Sequence, residues 1–251
     1  MPQDQVIKTD QWSSLKAFTN ARIALGRTGT AVPLNESLQF KLAHAQARDA
    51  VYSTLHTEAL QEGLQTLQLS SYILHTQARE RMTYLQRPDL GRMLDDASAH
   101  VLEQDAGGYD LVIIIADGLS ATAVNEHAVP LLQLLCPLLQ KENISLSPVI
   151  LLCQGRVAAG DEIGALLRAR ISLMLIGERP GLTSPDSMGA YLTYAPQKGF
   201  TDERRNCISN IRPEGLPYSG ACEKIFYLIK ESLRLKLSGI GLKDNTMLLH
   251  S

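Results

Sequence analysis

The chain has 251 residues, of which 45% are hydrophobic and 20% charged, with a formal net charge of −2. That length buries roughly three quarters of its unfolded surface, so a core forms without covalent staples, and the near-balanced charge excludes general nucleic-acid binding. The four cysteines, Cys136, Cys153, Cys207 and Cys222, form no C-x-x-C pair and no zinc-spaced cluster. Cys136 and Cys153 lie in apolar runs and read as core residues, which suits a reducing compartment.

Residues 1–20 are polar and read as a lead-in without a secretory signal, and no apolar run is long enough for a membrane span. "ARIALGRTGTAVP" (21–33) reads as a glycine-bearing loop, not a dinucleotide fingerprint. The spacing predicts a helix over 35–52, capped by Asn35 or Ser37, with Lys41, His44 and Arg48 on a face expected to be solvated, or to meet an anionic ligand or partner. "TEALQEGLQ" predicts a short helix and "TLQLSSYIL" an edge strand. A helix starting near Pro88 is expected to end at Gly107-Gly108. These elements suggest a lead-in and helical segment over 1–60, followed by the main domain over 61–251.

From residue 109 the pattern becomes regular. "YDLVIIIADGLS" is a β-branched run that implies a strand covered on both faces. A helix follows, which Pro130 is expected to kink or restart. Further strands are expected at 148–155, 171–177 and 189–196, with a helix over 158–169 between the first two. "RRNCISNIRPEGLP" (204–217) reads as a polar loop holding Cys207, and a long helix over 217–239 closes the chain with Gly239 at its end. The alternation predicts an α/β protein with a Rossmann-like, mostly parallel sheet flanked by helices.

In parallel sheets ligands sit beyond the carboxyl ends of the strands. Three loops stand there: Asp117-Gly118-Leu119-Ser120, Gly155-Arg156-Val157 and Gly177-Glu178-Arg179-Pro180-Gly181. The charged pair Glu178 and Arg179, framed by glycine and proline, exceeds what a turn needs. There is no G-x-S-x-G elbow, no P-loop, no H-E-x-x-H helix and no histidine spacing that suggests a metal site. Asp117 ends a strand as phosphotransfer nucleophiles can, but it has no partner motif. The residues alone therefore predict a ligand-binding sheet without a self-sufficient catalytic constellation, and a nucleotide-binding module stays open as the alternative.

The segments "ARIALGRTG", "LAHAQARDAV", "YLQRPDLGR", "DGLS", "GRV", "GERPGL", "RNCISNI" and "SGI" occur in this order between about residues 20 and 242. On them the chain resembles the small (light) subunits of ethanolamine ammonia-lyases. The resemblance implies a Rossmann-like subunit that holds adenosylcobalamin at the interface with a larger barrel subunit. That larger subunit carries the ethanolamine site and most of the radical chemistry that yields acetaldehyde and ammonia. Carried over by position, the cofactor contacts of the small subunit fall on Val157, Glu178 and Cys207. Arg179 is expected to be the ion-pair partner that keeps Glu178 ionised. No catalytic or metal-binding residue is expected on this chain. The sequence has no D-x-H-x-x-G motif, which fits a cofactor that keeps its own base on cobalt. Some relatives carry a longer leader that targets a bacterial microcompartment. Only about 20 residues precede the matching region here, so a cytoplasmic location is expected, with a microcompartment as the alternative.

Overall fold

The computed structural model describes residues 7–244. After a short 3-10 helix (Ser13–Phe18), the first α-helix, α1 (Leu34–Tyr52), is followed by α2 (Thr57–Thr66), β1 (Ser71–His75), α3 (Arg81–Gln86) and α4 (Asp96–Gln104). The regular half holds β2 (Leu111–Ala116), α5 (Ala121–Lys141), β3 (Val149–Cys153), α6 (Ala159–Leu166) and β4 (Ile171–Gly177). Then come β5 (Met188–Tyr194), β6 (Arg205–Ile211) and α7 (Tyr218–Leu235).

The six strands form one sheet in the order β1-β3-β2-β4-β5-β6. The pairs β1–β3, β3–β2 and β2–β4 are parallel, while β4–β5 and β5–β6 are antiparallel. The sheet is thus mixed, which corrects the expectation of a mostly parallel one. The β4–β5 connection explains the reversal. It contains no helix, and a parallel crossover needs a dozen or more residues, usually helical.

Helices cover both faces. Leu111, Ile113 and Ile115 of β2 pack with α2, α5 and α7, and Val112, Ile114 and Ala116 pack with α4 and α6. All six β2 residues are buried, which is why this strand reads as an unbroken apolar run. Cys136 and Cys222 are buried in the first layer, and burial pushes the Cys136 thiol up to about 11.

Several local expectations are corrected. α1 begins at Leu34 after Pro33, without a side-chain cap from Asn35 or Ser37. Pro88 lies between α3 and a short 3-10 turn, and α4 starts later, capped by the Asp95 carboxylate accepting from Ser98 N–H at 2.8 Å. Pro130 neither ends nor restarts α5, which runs through it and Pro137. α7 stops at Leu235 on a left-handed Lys236 (φ 58°), before Gly239.

The segment expected to be a polar loop around Cys207 is the edge strand β6. Its Ile208 and Ile211 pack on the α5/α7 layer. A register irregularity opposite Met188 and Ala190, with Asn210 at φ 59°, lets both isoleucines reach the same face. No helix among the described residues is long and apolar enough to cross a membrane.

Candidate functional site

The carboxyl ends of β2, β3 and β4 meet at a cleft of about 690 Å³. Gly118 and Leu119 line it from the first loop, Arg156 and Val157 from the second, and Gly177, Glu178 and Arg179 from the third. The three loops singled out in the sequence therefore converge. Tyr191 and the segment Phe200-Thr201-Asp202 complete the wall from the antiparallel half.

The floor is locked by backbone contacts. Gly118 has φ +56°, and a Cβ there would lie 2.3 Å from the Gly177 carbonyl. A Cβ on Gly177 would lie 1.9 Å from the Ser120 carbonyl. Leu119 N–H donates to that same Gly177 carbonyl at 2.9 Å. Both glycines are thus dictated by close approach of the β2 and β4 loops.

Asp117 belongs to this scaffold and not to the cleft. Its carboxylate accepts from Gln154 N–H at 2.9 Å and Gly155 N–H at 3.0 Å, and Arg81 Nη1 stands 3.9 Å away. Burial outweighs these partners and pushes its carboxyl up to about 6. A carboxylate with both oxygens engaged in tying the second loop to the first is a brace, which removes the nucleophile reading.

Behind the second loop lies Tyr84, buried between two guanidinium groups. Arg81 and Arg156 stack on its ring at 4.7 and 4.4 Å. The Tyr84 hydroxyl donates to the Gly155 carbonyl at 3.2 Å, and burial pushes the phenol up to about 12. Arg81 also donates to the Val51 carbonyl at 2.6 Å and the Gly118 carbonyl at 2.8 Å, which fixes the end of α1 to the first loop. Arg156 donates to the Tyr84 carbonyl at 3.0 Å, while its Nε is buried without a protein partner.

The half-buried Glu178 side chain is held differently from expectation. Among the described residues its carboxylate makes no ion pair with Arg179, which is exposed. Instead Glu178 Oε2 accepts from the Ser187 hydroxyl and from Asn210 N–H at 3.2 Å. Room for it comes from Gly189 on β5, where a Cβ would lie 3.0 Å from Glu178 Oε1. The loop after β4 is anchored at its far end as well. Asp186 pairs with Arg212 at 3.1 Å and with His127 at 3.4 Å, and Ser120 donates to the Pro185 carbonyl at 2.8 Å. Glu126, His127 and Asp186 offer ligand atoms within 4.8 Å of one another, but His127 also meets the Tyr218 hydroxyl at 2.8 Å. Both ring nitrogens therefore serve this anchor.

Val157 and Glu178 line the cleft together, whereas Cys207 is not among its lining residues and is linked to it through Tyr191. Cys207 is exposed on β6, directly across the ladder from Tyr191, a lining residue. Burial first, and then the Cys207 thiol and Glu178 carboxylate, push the Tyr191 phenol above its ordinary value. Arg205 closes the outer wall. It is buried, and it pairs with the buried Asp161 at the start of α6 and with Asp202 at 2.9 Å. Sequence reasoning missed Tyr84, Gly189, Ser187 and Asn210. Tyr84 and Asn210 lie in segments already singled out, "YLQRPDLGR" and "RNCISNI", but neither was assigned a role there, and Ser187 lies in none of them.

The family comparison adds what geometry alone does not. Residues 9–243 match the family model described as ethanolamine ammonia-lyase light chain. The ethanolamine ammonia-lyase small subunit of Pseudomonas aeruginosa (strain LESB58) is 54% identical over 237 residues, covering 93% of this chain and 87% of that protein. The one from Xanthomonas campestris pv. campestris (strain ATCC 33913) is 55% identical over 239 residues, covering 94% and 88%. The one from Pseudomonas fluorescens (strain Pf0-1) is 52% identical over 248 residues, covering 97% and 90%. With a match over nearly its whole length, this chain belongs to the ethanolamine ammonia-lyase light chain family.

Proposed function

We propose that the chain works as the small subunit of an ethanolamine ammonia-lyase. In this reading it joins a larger subunit, and its cleft holds one side of adenosylcobalamin. The observation that carries the reading is convergence: Val157 and Glu178 share one open cleft, and Cys207 is linked to it through Tyr191.

The residues suit a ligand with a broad, amide-bearing rim. The cleft is of ordinary size for a cofactor site but open, so it covers part of a large ligand and leaves the rest to a partner. Glu178 supplies a carboxylate already oriented by Ser187 and Asn210, with Oε1 free of those two donors. That oxygen would accept an amide N–H. Arg156 has a buried Nε still in need of an acceptor, which an amide carbonyl would supply. Val157 gives an apolar contact between them, and Cys207 a small, polarizable one beside Tyr191. When bound, the cofactor supplies the radical chemistry of the deamination, while this chain binds, orients and shields. We assign no catalytic acid, base or radical residue to this chain.

The test is Glu178→Ala in the two-subunit complex. Loss of one hydrogen bond to a charged acceptor should weaken cobalamin binding by roughly 10- to 100-fold, from ~1.5–3 kcal/mol. Unchanged affinity in a well-formed complex would remove Glu178 from the site.

A further inference from the structure

The first part of the chain leaves an apolar surface that its own fold does not cover. Ten of the seventeen large hydrophobic side chains exposed among the described residues fall within residues 7–52. α1 is the extreme case. It has 19 residues and buries only Ala43 and Ala50. Leu34, Leu38, Phe40 and Leu42 are 74, 54, 46 and 60% exposed. Before it in the chain, Trp12 and Phe18 are 60 and 86% exposed.

A helix with one polar face can rest on a protein surface in water. A helix apolar on several sides is buried on several sides. α1 uses its alanine side on its own chain and leaves the larger side chains for something else. Helices of this length gain most of their stability from packing, so the uncovered side needs a partner. Lys41, His44 and Arg48 are exposed on the same helix, and no ion pair engages them among the described residues. A matching surface is therefore apolar with carboxylates at its edge.

This surface also adjoins the cleft. Arg22 stacks on Phe40 at 5.9 Å and donates to the Leu182 carbonyl at 3.3 Å, in the loop that carries Glu178 and Arg179. Arg81 ties the end of α1 to Gly118 in the floor. One body lying on α1 would thus continue over the open side of the cleft. We propose that α1, with the lead-in around Trp12 and Phe18, is the docking face for the larger subunit. This rests on the small-subunit reading above.

The experiment co-expresses the full chain with the large subunit and compares wild type with Leu38→Asp/Phe40→Asp and with Leu235→Asp, an exposed apolar site outside the patch. Complex formation is measured by analytical ultracentrifugation, and hydrogen exchange of α1 is followed with and without the large subunit. Expected are a wild-type complex, slowed exchange in α1 within it, and association weakened about 30-fold or more by the double variant, as for removal of a buried interface anchor. Leu235→Asp should associate as wild type. A wild-type complex that the double variant leaves intact, with α1 amides unprotected, overturns the docking face but not the small-subunit reading. Absence of any wild-type complex overturns both. Self-association of the chain alone that the double variant abolishes assigns the face to a second copy and overturns the choice of partner.

Discussion

Gly189 and Glu178 should be energetically coupled, and the size of the coupling can be worked from the packing. A methyl group at position 189 would sit 3.0 Å from Glu178 Oε1, 3.2 Å from its Cγ and 3.3 Å from Tyr191 Cε2. Ordinary contact begins roughly 0.4 Å farther out. The carboxylate cannot retreat freely, because Ser187 and Asn210 hold its other oxygen. Gly189→Ala should therefore cost about 1–2 kcal/mol, as overpacking or as the loss of one charge-assisted hydrogen bond. Gly189 has no left-handed φ, so once Glu178 is removed the same change should be neutral or stabilise by about 0.5 kcal/mol through lower unfolded-state entropy. Urea unfolding of the wild type, Gly189→Ala, Glu178→Ala and the double variant closes the cycle, with an expected coupling of about 2 kcal/mol. Cobalamin titration of the complex should show Gly189→Ala approaching the weakened affinity of Glu178→Ala. If Gly189→Ala costs as much without Glu178 as with it, the glycine does not make room for the carboxylate.

Asp117→Asn should be read against pH. A carboxyl that ionises near pH 6 in the fold and near 3.8 outside it binds more protons when folded, so wild-type stability should fall as pH rises between these values. At ~1.4 kcal/mol per pH unit the variant should gain about 2.5 kcal/mol relative to wild type from pH 4 to 7, and a pH-independent difference in urea midpoints would contradict the buried charge. Arg205→Met should destabilise by about 3–5 kcal/mol because it strands the buried Asp161, and Asp161→Leu in the same chain should recover much of that loss. Thermal melts of the single and double variants decide this, since equal midpoints would show that the pair is not coupled.

Much of the site was legible because it follows from one rule. β2 announces itself by an apolar run with both faces buried, and the loops after such strands gather at one end of the sheet. β6 was not legible because it is an edge strand with only one covered face. Its Arg205, Asn206, Cys207, Ser209 and Asn210 look like loop chemistry, and the irregularity at Asn210 breaks the alternation that its two isoleucines would otherwise show. The direction of β5 was hinted at by a connection too plain for a crossover. Gly189 gave no signal at all: its reason is a side chain eleven residues earlier, which only the folded register brings opposite. Arg179 was misjudged because adjacent opposite charges suggest a pair, whereas neighbours at a strand's end diverge and Glu178 found backbone and hydroxyl donors instead.

The locked floor divides the cleft into parts that can and cannot be redesigned. Gly118 and Gly177 sit against opposing carbonyls, so any side chain introduced there would pry the two loops apart before it touched a ligand. Arg92, Arg179 and Thr201 line the same cleft from exposed positions. A library aimed at changing what this cleft accepts should leave the glycines fixed and spend its diversity on that rim. There, new side chains reach the ligand without disturbing the sheet that presents it.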